Sequence, residues 1–223
     1  MAIGFGFKTV SNQNPNANKQ QLSVTCTTGT DTGLFVSVTM AKTVNFNNAF
    51  YNGDQMQKLT IRTNNHLALR QVFYWLPNPT TGSAKTLEVR FTGGQFASTS
   101  IIAQSLTGVT QNNLTNSAYD THSNTPHSRT ISINANEVIY LTGMSQQGQA
   151  YPYSIGGNSE ALDLNQHNIN SKIIGGAFSV NNLSSGSQTC ITVANSSTIT
   201  NHRIAIGGSG GGSSSSVNHL WTC

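Results

Sequence analysis

Residues 72–109, VFYWLPNPTTGSAKTLEVRFTGGQFASTSIIAQSLTGV, restrict the fold more than any other part of the chain. Leu87, Val89 and Phe91 alternate with Thr86, Glu88 and Arg90, the period of a strand with one buried face. Ahead of them VFYWL is apolar on both faces and stops at Pro77. The PNPTTG that follows combines two prolines with a glycine, residues that fix or free φ where a chain reverses. After Phe91 the pair Gly93 and Gly94 interrupts the chain, and residues 98–106 resume a β-rich run that closes on Gly108. Three strands and two turns predict a meander of antiparallel strands at the centre of an all-β fold.

The rest of the chain agrees with that class. Leu22, Val24 and Cys26 alternate with Ser23, Thr25 and Thr27, and Leu34, Val36 and Val38 alternate with Phe35, Ser37 and Thr39. Residues 45–53 form a short strand and tight turn, followed by QMQKLTIRT with Leu59 and Ile61 pointing inward. Glu137 to Leu141, IIGGAFSV, QTCITV and HRIAIG supply later strands. No window keeps an uninterrupted apolar set at helical spacing. About a dozen strands with turns every eight to twelve residues predict two packed antiparallel sheets, a β-sandwich over residues 1–206. No repeat of fixed period is visible, which disfavours a solenoid or propeller. Two sections read as long loops: residues 110–127, taken as an exposed functional loop, and the section beginning GMSQQGQAYPYSIGG. Residues 207–216, GGSGGGSSSS, have linker composition and lead to the apolar segment VNHLWTC, residues 217–223.

Composition narrows the function classes. Only 8% of residues are charged, against about 25% in an average soluble protein, while Asn, Ser and Thr fill 79 of the 223 positions. Solubility therefore comes from uncharged polar groups, which suits an extracellular or particle surface. The 11 Lys and Arg are dispersed, so no basic cluster points to nucleic acid. Cys26, Cys190 and Cys223 cannot all pair within one chain and lack metal-ligand spacing, which fits synthesis in a reducing cytosol. MAIGFGFKTV has no basic n-region and reads as no signal peptide, and no run of 18 apolar residues predicts a membrane span.

Motifs of enzymatic chemistry are not found: no nucleophile elbow, HExxH, phosphate loop or dinucleotide fingerprint. The close pair Glu160 and Asp163 reads as solvated loop charge ahead of a calcium ligand or catalytic pair. His122 and His127 share a polar stretch without a third ligand and read as exposed loop histidines. Neither a metal nor a cofactor is expected. Phe73 and Trp75 lie opposite Val72, Tyr74 and Leu76. Either Trp75 is exposed and stacks on a sugar or partner, or both faces of its strand are buried; the second reading is preferred. Tyr151 and Tyr153, flanking Pro152, and Leu220 and Trp221 in the apolar segment are the remaining partner-binding candidates. The segment docks on a neighbouring subunit, with Trp221 as its anchor, folds back on its own sandwich as an extra edge strand, or is disordered. Sequons at Asn113, Asn182 and Asn195 are expected by chance in so Asn- and Ser-rich a chain.

The order LFVSVTM, FYNGDQMQKL, VFYWLPNPTTGSAKTLEVRFTGG and SLTGV, with MAIGFGF at the start and SRTISINANEVIYL later, resembles a family of β-sandwich proteins of tailed phages, prophages and bacterial surfaces. Its motifs are strand and turn signals. The resemblance implies a jelly-roll or concanavalin-like sandwich in virion structural or appendage proteins, and it brings no catalytic residues. The expected function is a non-enzymatic virion protein of a tailed phage, a capsid decoration or appendage subunit made in the host cytoplasm. Its expected partners are other virion proteins, major capsid or tail proteins, and further copies of itself. A carbohydrate- or receptor-binding adhesion module is the alternative, with a host-surface glycan as partner. Nucleic acid and membrane are not expected partners.

Overall fold

A computed structural model describes residues 3–13, 18–41, 44–64, 69–92, 99–112, 114, 117–122, 127–133, 137–145, 152–155, 158–161, 173–178, 186–192 and 199–209. Among these residues there are strands and turns and no helix. The first half contains β1 (Gly4–Gln13), β2 (Lys19–Thr25), β3 (Gly33–Ala41), β4 (Asn45–Tyr51) and β5 (Asp54–Gln55). It continues with β6 (Gln57–Asn64), β7 (Leu69–Pro77), β8 (Ala84–Thr92) and β9 (Thr99–Thr107). The second half contains β10 (Ser117–His122), β11 (His127–Ile133), β12 (Glu137–Ser145) and β13 (Pro152–Ile155). Its last strands are β14 (Asn158–Ala161), β15 (Ile173–Phe178), β16 (Gly186–Thr192) and β17 (Ile199–Gly207).

Strands β1 to β9 form a two-sheet antiparallel β-sandwich. One sheet has the order β1-β9-β3-β7-β6 and the other β2-β8-β4-β5. Setting β6 aside as an added edge strand and counting the other eight in chain order, the sheets read 1-8-3-6 and 2-7-4-5, the order of a jelly roll. From β7 to β8 to β9 the chain thus crosses from one sheet to the other and back, which corrects the meander expected over residues 72–109. Strand β8 leaves β7 for the opposite sheet, where it pairs with β2 and β4, because residues 78–83 are long enough to cross the sandwich.

The same order recurs further along. Strands β10 to β17 form sheets β10-β17-β12-β15 and β11-β16-β13-β14, which are again 1-8-3-6 and 2-7-4-5 when counted from β10. Both sections expected to be long loops therefore contain strands. Residues 117–122 pair along β17, and Tyr153 and Glu160 face each other across the β13–β14 hairpin. Residues 207–209, which open the stretch of linker composition, are also held in the fold. Gly207 closes β17, Gly208 bridges Val109, and the Ser209 N–H donates to the Gly108 carbonyl at 2.7 Å.

Two cores follow from the alternation. Leu22, Val24, Leu34, Val36, Val38, Tyr51, Val72, Tyr74, Leu87, Val89, Phe91, Ile101 and Ala103 fill the space between the first two sheets. The opposite face of the five-stranded sheet carries Phe35, Phe73, Trp75 and Leu106, packed with Val109 and Leu114 and with Val138, Tyr140 and Ile206 of the second half. Strand β7 is thereby buried on both faces, the preferred reading for Phe73 and Trp75. Phe35 stacks on Phe73 at 5.7 Å between ring centroids, and Tyr140 lies 4.6 Å from Phe35 and 6.1 Å from Phe73. Such pairs add about 0.5–1.5 kcal/mol each beyond area burial. Gly33 is required here, since a Cβ would overlap the Trp75 ring and meet Val109 Cγ2 at 2.8 Å.

On the outer face of β8, Glu88 accepts from Lys19 at 3.2 Å, Gln21 at 2.6 Å and Arg90 at 2.6 Å, while the Arg90 guanidinium lies 4.3 Å above the Phe50 ring. Hydrogen bonds from Arg90 and Lys19 hold the Glu88 carboxyl down to about 2. A carboxyl with a lowered folded-state pKa stabilises above its unfolded value and loses that contribution as pH falls through the folded one. Stability is therefore expected to fall between about pH 4.5 and pH 2, and Glu88→Gln to flatten that part of a urea-denaturation pH profile. Val89→Asp, with its carboxylate buried between the sheets, is expected to abolish folding at a cost of several kcal/mol. Glu88→Lys is expected to cost about 1 kcal/mol and leave the chain folded. Equal effects of the two would refute the face assignment of β8.

Candidate functional site

One end of the first sandwich gathers the connections at residues 26–32, 52–53, 78–83 and 108–112. All the described residues with positive φ lie there: Asp31, Asn52 and Asn78 at φ 50, 52 and 49°, with Gly53, Gly82 and Gly108. Asn and Asp enter this left-handed region more readily than other residues with a Cβ, and the sequence supplies them at each non-glycine position.

Carbonyls of residues 26–32 hold the neighbouring connections. Cys26 accepts from the Gly82 N–H at 3.0 Å, Thr32 from Asn78 at 3.0 Å, Thr30 from Gly108 at 3.0 Å, and Asp31 from Val109 at 2.9 Å. Gln111 Nε2 donates to the Thr32 carbonyl at 3.2 Å. The Tyr51 hydroxyl donates between the carbonyls of Thr80, at 3.1 Å, and Val24, at 3.3 Å. Asn52 Nδ2 donates to Thr80 Oγ1 at 3.2 Å. Thr28, Thr30, Asn52, Asp54, Gln55, Asn78, Ser83 and Asn112 are exposed around this framework. Their hydroxyls and amides form a hydrogen-bonding surface on a backbone fixed by its own bonds, so a partner meets groups already in position.

Beneath this surface the Cys26 thiol is fully buried. Burial raises its pKa, opposed by hydrogen bonds with Tyr51 and Ser105. Burial raises Tyr51 as well, with Cys26 adding to the effect, so the phenol stays a donor. Among the described residues no three His, Cys, Asp or Glu come together to hold a metal ion.

Of the partner-binding candidates from sequence, Trp75 is internal: it is fully buried, and its indole N–H donates to the Asn112 carbonyl at 3.2 Å. Its role here is to tie the connection between the halves to β7. Tyr153 lies in β13, paired with Glu160 and Thr192, and its side chain is outside the described set. Tyr151, Leu220, Trp221 and Asp163, with the sequons at Asn113, Asn182 and Asn195, lie outside the described residues. His122 closes β10 and His127 opens β11, in different sheets.

Sequence reasoning passed over Phe5 and Phe7, which are 41% and 60% exposed and are the exposed large apolar side chains among the described residues. The signal was present in GFGF. A Cβ at Gly6 would overlap the Thr27 side chain, so glycine occupies a crowded position between two exposed phenylalanines. No protein-family model matches the chain, and no curated protein matches it either.

Two outcomes test this end of the sandwich. Asn78→Ala is expected to cost about 1 kcal/mol in chemical denaturation because alanine resists positive φ, while Asn78→Gly is close to neutral. Iodoacetamide at pH 8 is expected to leave Cys26 unmodified in the folded chain and to alkylate it after unfolding, as read by peptide mass mapping.

Proposed function

We propose that this chain is a non-enzymatic structural subunit of a tailed-phage particle. It decorates the capsid or forms part of an appendage, and non-covalent contacts hold it to further copies and to other particle proteins. The observation that carries this reading is the use the chain makes of its broadest apolar face. The outer side of β3, β7 and β9 is buried against β12 and β17 of a second set of sheets with the same strand order. Covering one apolar sheet face with another set of sheets is the mode of contact such a subunit needs. Jelly rolls also occur in viral capsid and lectin domains, which supports the reading only by analogy of fold.

Further support comes from the fixed hydroxyl and amide surface and from the likeness of residues 34–109 to phage β-sandwich proteins. The adhesion alternative loses its first stacking platform, because Phe73 and Trp75 are buried within the chain. It retains the polar end of the sandwich, where Thr and Asn side chains suit sugar hydroxyls.

The test is a mass-spectrometric count of the chain in particles purified from its source by density gradient. A fixed ratio to the major capsid protein or to a tail protein is expected. Absence from purified particles would overturn the proposal. Glycan-array binding that is lost on changing Asn78 and Thr80 would favour the adhesion module instead.

A further inference from the structure

The β4–β5 hairpin turns on two residues, Asn52 and Gly53, between the paired Tyr51 and Asp54. Both have positive φ, 52 and 93°, the backbone that an Asn-Gly hairpin turn favours. Both are exposed, and a Cβ added at Gly53 would meet nothing within 4 Å. Among the described residues the Gly53 N–H has no hydrogen-bond acceptor. Asn78 shares the exposure and the positive φ, but Pro79 follows it, whose nitrogen has no hydrogen to lose. No other asparagine of the chain is followed by glycine.

We propose that Asn52 is a site of spontaneous covalent modification, a deamidation that takes water as its co-reactant. Hydroxide removes the Gly53 N–H proton, and the nitrogen attacks Asn52 Cγ. A C–N bond forms as the Cγ–Nδ2 bond breaks, and the departing nitrogen takes a proton from water and leaves as ammonia, which restores the hydroxide. Water then opens the cyclic imide at one of its two carbonyls. Breaking the new bond to Cγ gives aspartate, and breaking the original bond to the backbone carbonyl gives isoaspartate. Glycine suits the attack because no side chain crowds its nitrogen as the ring closes.

Two contacts restrain the reaction without blocking it. Asn52 Nδ2 donates to Thr80 Oγ1 at 3.2 Å in an exposed bond, and the hairpin closes on β5, a two-residue strand at the sheet edge. Releasing each of them slows ring closure by at most about tenfold, the worth of one hydrogen bond in contact with water. The product changes what the polar end offers. An amide donates and accepts, whereas a carboxylate only accepts, so the group that now donates to Thr80 becomes an acceptor and the net charge falls by one from +4. Aspartate tolerates this φ. Isoaspartate lengthens the main chain of the turn and breaks the pairing of Tyr51 with Asp54, next to the hydroxyl that holds the Val24 and Thr80 carbonyls. This proposal does not depend on the particle reading.

Peptide mapping by mass spectrometry tests it, on the full folded chain incubated in mildly alkaline buffer beside the free peptide AFYNGDQM. Exchange of the Asn52 amide for a carboxyl is expected to be the first such change in the chain, to proceed within about a hundredfold of the peptide's rate, and to accelerate as pH rises. Thr80→Ala is expected to speed it several-fold. Earlier conversion at another asparagine would overturn the proposal, as would a rate that does not respond to pH. Slowing beyond about a hundredfold relative to the peptide would also overturn it. An unchanged rate in Thr80→Ala would refute the restraint assigned to the bond from Asn52 Nδ2.

Discussion

A sheet that is apolar on both faces has to be covered twice, and the five-stranded sheet of the first half is such a sheet. Val72, Tyr74 and Leu76 face one way from β7, and Phe73 and Trp75 the other. The first cover is the β2-β8-β4-β5 sheet, and the second comes from β12 and β17 with the connection between the halves. Burying one large apolar side chain is worth about 1.5–3 kcal/mol, so Phe35, Phe73, Trp75 and Leu106 together rival the 5–15 kcal/mol net stability of an ordinary domain. The second half is therefore part of what makes the first half stable.

The covering arrangement also determines where function can reside. With the broad faces of the central sheet occupied, the first half offers the outer face of β2 and β8, the edge at β1 and the end with the positive-φ residues. The outer face is polar, with Lys19 and Arg90 engaged by Glu88. At the polar end, backbone bonds to residues 26–32 fix the loops, so the exposed amides and hydroxyls sit on a framework with little conformational freedom to lose on contact.

Local pattern made the strands legible; pairing partners were not. Strand β8 shows clean alternation because one of its faces meets water, and VFYWL shows none because neither does. Both signals are local and were read correctly from sequence. Which strand lies beside which depends on contacts far apart in the chain, so the crossing from β7 to β8 looked like a hairpin. Strands β10 and β14, SAYDTH and NSEA, contain few apolar residues, and their pairing with β17 and β13 appears only when the partner backbones are in place. Gly207, Gly208 and Ser209 have the composition of a linker, yet their backbone groups complete an antiparallel bridge that no side chain announces. At the candidate site the turns that hold Asn52 and Asn78 were legible in the sequence. That they converge on one end of the sandwich follows from the jelly-roll order and could be seen only once that order was known.

The bridge between Val109 and Gly208 joins the entrance and the exit of the second half at a single seam. A unit whose two ends meet there behaves as a cassette. Its removal or replacement would bring Thr110 and Ser209 together without rerouting any strand of the first sandwich. Evolution can therefore vary the second half, exchange it or duplicate it at this seam, provided that whatever fills the position presents an apolar face to Phe35, Phe73 and Trp75.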